Sequence, residues 1–133
     1  MNTKDYLSQA YRIDQRINSK LAQVMSLRDL LGKATGTLSG APKAATPNPH
    51  TMEDTIAKMV DLENEINEDI DTLVDLKAEI MRRIKRVENT EYQTILELRY
   101  LCFKRWEVIA VELGYDLRYL YKLHDQALEA CDF

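Results

Sequence analysis

The chain has 133 residues, 45% of them hydrophobic and 30% charged, with a formal net charge of −4. That size holds one compact domain, or a small domain with an extended helical partner, and the mix is globular or coiled-coil-like rather than disordered. No apolar run approaches the roughly 20 residues that span a bilayer, and residues 1–11 carry neither an apolar block nor a small-residue cleavage pattern, so a cytoplasmic protein without a membrane partner is expected.

The first element is a helix. Tyr6, Ala10, Ile13, Ile17, Val24, Leu27 and Leu31 follow alternating spacings of three and four, with Lys20 in the one gap. This is the stripe of an amphipathic helix over residues 3–31, with Thr3 as its cap and Gly32 as a left-handed end. All three prolines and three of the four glycines then fall between Gly32 and Pro49. The stretch 32–51 therefore reads as a flexible loop. Thr51 and Asp54 form a weak capping box for a second helix. In it Met59, Ile66, Leu73, Ile80 and Val87 recur every seven residues. The accompanying positions, Ile56, Glu63, Ile70, Lys77 and Ile84, are apolar apart from two charges. A heptad pattern of this kind makes a coiled-coil seam, on a helix of about 35 residues and roughly 50 Å. Two arrangements use it equally well: an antiparallel hairpin with the first helix, or a homodimer through Met59, Ile66, Leu73 and Ile80.

Residues 1–87 thus form a helical hairpin or oligomerisation region, and residues 88–133 a second part. There Thr90 caps a helix carrying Tyr92, Ile95, Leu96, Leu98 and Leu101. Lys104 and Arg105 precede a short helix from Trp106 to Leu113, which Gly114 ends. Tyr115 and Asp116 make a turn, Asp116 caps, and a last helix runs over 117–131. Ala110 is small where two helices cross, Gly114 takes the left-handed turn, and Ile109, Leu113, Leu120 and Leu123 face each other. The fold class is all-α: a long antiparallel, coiled-coil-like hairpin followed by a C-terminal helix-turn-helix.

The stretch Leu96-Glu97-Leu98-Arg99-Tyr100, then Trp106 to Gly114, then Tyr121-Lys122-Leu123-His124 with Ala127-Leu128, resembles region four of bacterial sigma factors. The resemblance covers about 40 residues, Glu91 to Leu128. The layout of long helices before a single sigma-like helix-turn-helix looks like the small phage-encoded regulators of the ArpU and RinA type, and a sigma region two has no counterpart. The resemblance implies binding to double-stranded DNA, with the last helix in the major groove. On it Leu117, Arg118, Tyr121 and Lys122 lie on or near the outward face. Arg118 would pair with a guanine edge and Lys122 with a base or phosphate. Lys104, Arg105 and Arg99 would hold phosphates. Arg82, Arg83, Lys85 and Arg86, at the end of the long helix, would add to them. Asp116 stands where the sigma pattern commonly has Ser. Leu117 and Tyr119 stand where it is usually polar, and Asp125 and Glu129 where it is often basic.

The charge is uneven: residues 1–51 carry seven Lys/Arg against three Asp/Glu, 52–87 six against ten, and 88–133 five against nine. That acidic balance suits a second reading, a protein-binding factor that keeps the helix-turn-helix as scaffold and inhibits an enzyme, with RNA polymerase or another protein as partner. A small terminase subunit is a third. An enzyme is not expected, because no nucleophile has a nearby His base and no glycine run is followed by Lys-Ser/Thr. His50 and His124 have no ligand partner at metal spacing, so neither metal nor cofactor is expected. Cys102 and Cys131, without CxxC spacing, read as ordinary residues.

Overall fold

A computed structural model describes residues 1–40 and 49–131, with the side chains of all of these except 34–40 and 49–51. The described residues form helices and no strand: α1 (Thr3–Gly40), α2 (Pro49–Ile84), α3 (Thr90–Leu96, continued by a π-helical turn at Glu97–Leu101), α4 (Trp106–Leu113) and α5 (Leu117–Ala130). The all-α class is therefore as expected. The hairpin is antiparallel: Lys20 meets Glu65 and Asp69, and Arg28 meets Glu63, so the partner number on α2 falls as α1 advances.

Several ends differ from the expected ones. Asn2, not Thr3, caps α1, its Oδ1 accepting the Asp5 N–H at 2.8 Å. Gly32 does not end the helix. It lacks the left-handed φ that a glycine stop requires, and α1 continues to Gly40. A glycine inside a helix costs about 1 kcal/mol, not enough to stop a helix whose neighbours keep bonding. α2 has already begun at Pro49. Proline suits a first helical turn, where its missing N–H would have no partner anyway. Thr51 of the expected capping box is thus inside the helix, and its side chain lies outside the described residues. Of the expected loop 32–51, both flanks are helical, and residues 41–48 lie outside the described part.

The described residues group into two compact units, Gln15–Asp71 and Met1–Asp14 with Thr72–Phe133. The division expected from the sequence, at 87/88, does not coincide with this one. In the first unit the facing stripes of α1 and α2 bury Ile17, Val24 and Ile66. The second unit has a core of Leu7 and Ala10 from α1, Ile80, Ile84 and Val87 from the end of α2, and Leu96, Tyr100 and Ala127. A second cluster, Ile95, Ile109, Ala110, Leu120 and Leu123, holds α3, α4 and α5 together. The physical reason is size. The 46 residues 88–133 would bury a small core on their own, and the ends of the hairpin enlarge it with Leu7, Ala10, Ile80, Ile84 and Val87.

The heptad seam closes within one chain. Ile66 is 5% exposed and Ile80 fully buried, while Met59 and Leu73 are half-buried. A homodimer through Met59, Ile66, Leu73 and Ile80 would need a seam whose side chains already pack within the chain. A tethered stripe on α1 competes for it at high effective concentration.

Candidate nucleic-acid interface

The unit of residues 1–14 and 72–133 carries the site. Asn89 caps α3, its Oδ1 accepting the N–H groups of Glu91 at 2.8 Å and Tyr92 at 3.2 Å. The cap is one residue before the Thr90 expected. α4 spans Trp106–Leu113 and ends at Gly114, left-handed with φ 74° and ψ 31°. The Tyr115 N–H returns to the Ala110 carbonyl at 2.9 Å, and that of Gly114 to Val111 at 3.3 Å. This closure satisfies orphan carbonyls of α4 and redirects the chain. Asp116 takes the N-cap position with extended backbone, and its carbonyl accepts the Leu120 N–H at 3.0 Å. Its side chain makes no capping bond, so the cap expected of Asp116 is positional only.

On α5 the buried residues Leu120, Leu123, His124 and Ala127 fix which face points outward. Arg118, Lys122, Asp125 and Glu129 are exposed and share one stripe at helical spacing. Its first half is cationic and its second half anionic. Tyr121 is 42% exposed and meets the Trp106 ring edge-on at 5.7 Å. Leu117 is not a surface reader. Three residues before Leu120, it falls on the inner side of the helix and packs against the Ile95 and Ile109 cluster.

The three residues expected to grip phosphates are placed differently from one another. Lys104 Nζ is bonded to both carboxylate oxygens of Glu112, at 2.7 and 2.9 Å, and its charge is met within the unit. Arg99 donates to the Lys104 carbonyl at 3.0 Å and lies over the Trp106 ring, 4.7 Å from its centre. Both brace the α3–α4 connection. Arg105 projects outward, its side chain 83% exposed and only loosely paired with Glu107 at 3.8 Å. Exposed pairs of this kind hold a side chain weakly. Of the basic group at the end of α2, Arg83 is held by Glu79 at 3.2 Å and lies over the Tyr6 ring.

Beneath the connection, His124 Nε2 and Tyr100 Oη share a hydrogen bond of 2.7 Å, and the Trp106 ring sits 4.4 Å from the imidazole. Burial pushes His124 down to about 4, with Lys4 and Arg99 adding to the effect against Asp125. Burial likewise pushes Tyr100 up to about 12. Both therefore stay neutral near pH 7.

A cleft of about 370 Å3 opens beside this floor. Four cations line it: Lys4 and Arg12 from α1, and Arg99 and Arg105 from the α3–α4 connection. So do four rings, Tyr11, Tyr100, Phe103 and Trp106. Phe103 has a positive φ of 58°, a left-handed conformation that costs a side-chain-bearing residue roughly 1–2 kcal/mol. Its ring is gripped by Lys77, 4.5 Å from the centroid, and by the edge of Tyr11 at 5.6 Å. Sequence reasoning found Arg99 and Arg105 but missed Lys4, Tyr11, Arg12 and Phe103. The one available signal was the excess of positive charge over residues 1–51. Among the described residues no group of His, Cys, Asp and Glu is placed to hold a metal ion, and no helix is long and apolar enough to cross a membrane. Cys102 and Cys131 are free thiols.

Residues 43–132 match the family described as Protein of unknown function (DUF1492). The chain belongs to that family. No curated protein and no solved structure matches it. The DUF1492 match takes in the whole of α2 to α5, including the turn at Gly114 and the stripe on α5. Lys4, Tyr11 and Arg12, which complete the cleft, come from the part of this DUF1492 chain that lies before the match.

Proposed function

We propose that this protein is a cytoplasmic DNA-binding regulator of transcription, of the phage-encoded ArpU and RinA type, that lays α5 in the major groove. The observation that carries the reading is the pair Arg118 and Lys122. They stand exposed on adjacent turns at the start of a helix that a left-handed Gly114 aims away from α4. The first turns of a recognition helix are where base edges are met. Arg118 reads guanine, Lys122 reads a base or holds a phosphate, and Tyr121, propped on Trp106, covers an adjacent sugar or base. Arg105, exposed just before α4, takes a flanking phosphate. The acids Asp125 and Glu129 tilt the helix so that its second half stays away from the backbone. Selection of bound duplexes from a random DNA pool tests this: a short guanine-containing consensus should emerge, and Arg118→Ala should relax it at one position. Enrichment of no sequence would count against the reading.

Reading two half-sites takes two copies of the chain. With Ile66 buried in the hairpin and Ile80 in the core of the second unit, the outward side chains Ile56, Val60 and Ile70, each between 41% and 49% exposed, are those that such a pair would cover. A second reading rests on α4. Val108 is 43% and Val111 82% exposed there, and apolar exposure beside Glu107 and Glu112 suits a protein partner such as RNA polymerase.

A further inference from the structure

We infer that the cleft between the start of α1 and the α3–α4 connection is a nucleotide site, taking a phosphate on Lys4, Arg12 and Arg105 and a base on the ring of Tyr11, beside Trp106. The inference goes beyond the reading of α5 and, apart from the shared Arg105, does not depend on it.

Three features of the cleft point the same way. Among the described residues its lining holds four cations and no carboxylate, in a chain whose net charge is −4. Glu107 meets only Arg105 among them, loosely at 3.8 Å, and a cationic wall of this kind in an acidic protein calls for an anion. Two of the guanidinium groups are held in place by backbone carbonyls: Arg12 donates to Asp5 at 3.0 Å and Arg99 to Lys104 at 3.0 Å. Each spends one of five N–H donors on its anchor and keeps others for a ligand.

The rings set the second requirement. Tyr11 is 44% exposed and offers the stacking surface, while Trp106, half-buried with Arg99 over its ring, borders the cleft. A plain inorganic anion needs no such surface, whereas a base stacks on it regardless of its sequence identity. The volume, about 370 Å3, falls within the roughly 300–1,000 Å3 of small-molecule sites.

The backbone supplies the third. The cleft is flanked by two conformations that a scaffold avoids. One is the π-helical turn at Glu97–Leu101, which bonds the Cys102 N–H to the Glu97 carbonyl at 3.0 Å. The other is the left-handed Phe103. The first carries Arg99 and Tyr100 into the lining, and the second supplies a ring of the wall. π-turns and left-handed non-glycine residues concentrate where a side chain has to be aimed at a ligand.

Trp106 is the single tryptophan of the chain and lines the cleft, so its emission reports on binding there, with Lys4→Ala and Arg12→Ala separating that signal from one relayed by Tyr121 of α5. The test is a fluorescence titration of the full-length protein with AMP, dTMP, adenosine and inorganic phosphate. AMP or dTMP should give a saturable change in the micromolar range. Adenosine and inorganic phosphate should each bind at least about tenfold more weakly, as expected when a charge-assisted contact or a stacked ring is lost. Lys4→Ala and Arg12→Ala, both at exposed positions, should lose about tenfold in nucleotide affinity with an unchanged helical melt. Tyr11→Ala should lose affinity that Tyr11→Phe retains. A 5′-phosphorylated oligonucleotide separates the sources of the ligand. Tighter binding than the mononucleotide assigns the site to a nucleic-acid end, and equal or weaker binding assigns it to a free nucleotide. No saturable change with either mononucleotide at millimolar concentration would overturn the inference. So would inorganic phosphate binding as tightly as AMP, or folded Arg12→Ala binding as the wild type does.

Discussion

The two units of the molecule are built from the same two long helices and hold themselves together differently. In residues 15–71, three apolar side chains are buried among those described, Ile17, Val24 and Ile66. Ion pairs of Lys20 with Asp69 and Glu65, and of Arg28 with Glu63, line the same contact. Leu21, Met25, Ile56, Val60 and Ile70 remain more than 40% exposed. In residues 1–14 with 72–133, thirteen apolar side chains are buried among those described, and every residue of the cleft and of the α5 stripe belongs to that unit. Stability should therefore be unequal, with the hairpin opening locally at lower cost than the unit that carries the sites. Packing is concentrated where side chains must be held in place for contact with a ligand.

The largest effect should come from the deep core. Leu96→Ala should cost about 3–4 kcal/mol, whereas Ile66→Ala in the hairpin should cost about 2 kcal/mol, because a two-helix contact collapses around a lost side chain more readily. Chemical denaturation of both variants checks the difference, and equal costs would break the comparison. Acid should weaken the second unit next. His124 titrates at about 4 when folded against 6.5 as an ordinary histidine. The unfolded chain thus binds a proton between those values that the folded chain does not, and stability falls as pH drops from 6.5 to 4. The loss is about 3 kcal/mol at the low end. Denaturant titrations at pH 7 and 4.5 should show it, with a flatter dependence in His124→Gln. Gly114→Ala comes third. An added Cβ meets nothing within 4 Å, so only the left-handed strain counts, about 1 kcal/mol, read as a lower Tm. The smallest effect should be that of Lys20→Gln. Its hydrogen bond to Asp69, the first cause of the raised Lys20 pKa, is confined to the hairpin. Hydrogen exchange should speed up within residues 15–71 and stay unchanged in α3–α5.

Local signals were legible in the sequence, and long-range ones were not. The bounds of α4, the turn at Gly114 and the start of α5 depend on neighbours within a few residues, and they fall where the sequence places them. The inward side of Leu117 was also available, since it precedes Leu120, Leu123 and Ala127 at helical spacing. It was missed because the sigma-like pattern places readers at that position. The pairing of Lys104 with Glu112 spans a connection and a helix, and no periodicity announces it. The cleft is harder still. Lys4 and Arg12 lie some ninety residues from Arg99 and Arg105, and only the shared core of Leu7, Ala10 and Tyr100 brings them together. The extension of α1 beyond Gly32 was hidden for a different reason, because glycine and serine near a proline-rich stretch mimic a loop.

The measurement that tests the account most directly is fluorescence anisotropy of labelled duplex DNA, drawn from a genomic fragment pool, over a range of salt concentrations. Wild-type protein should bind with an affinity that falls steeply as salt rises. The folded Arg118→Ala/Lys122→Ala variant should lose most of that binding and show a shallower salt dependence, by about one unit of slope per phosphate contact removed. Absence of binding by the folded wild type at low salt, or a double variant that binds as the wild type does, would contradict the assignment of α5 as the DNA-reading helix.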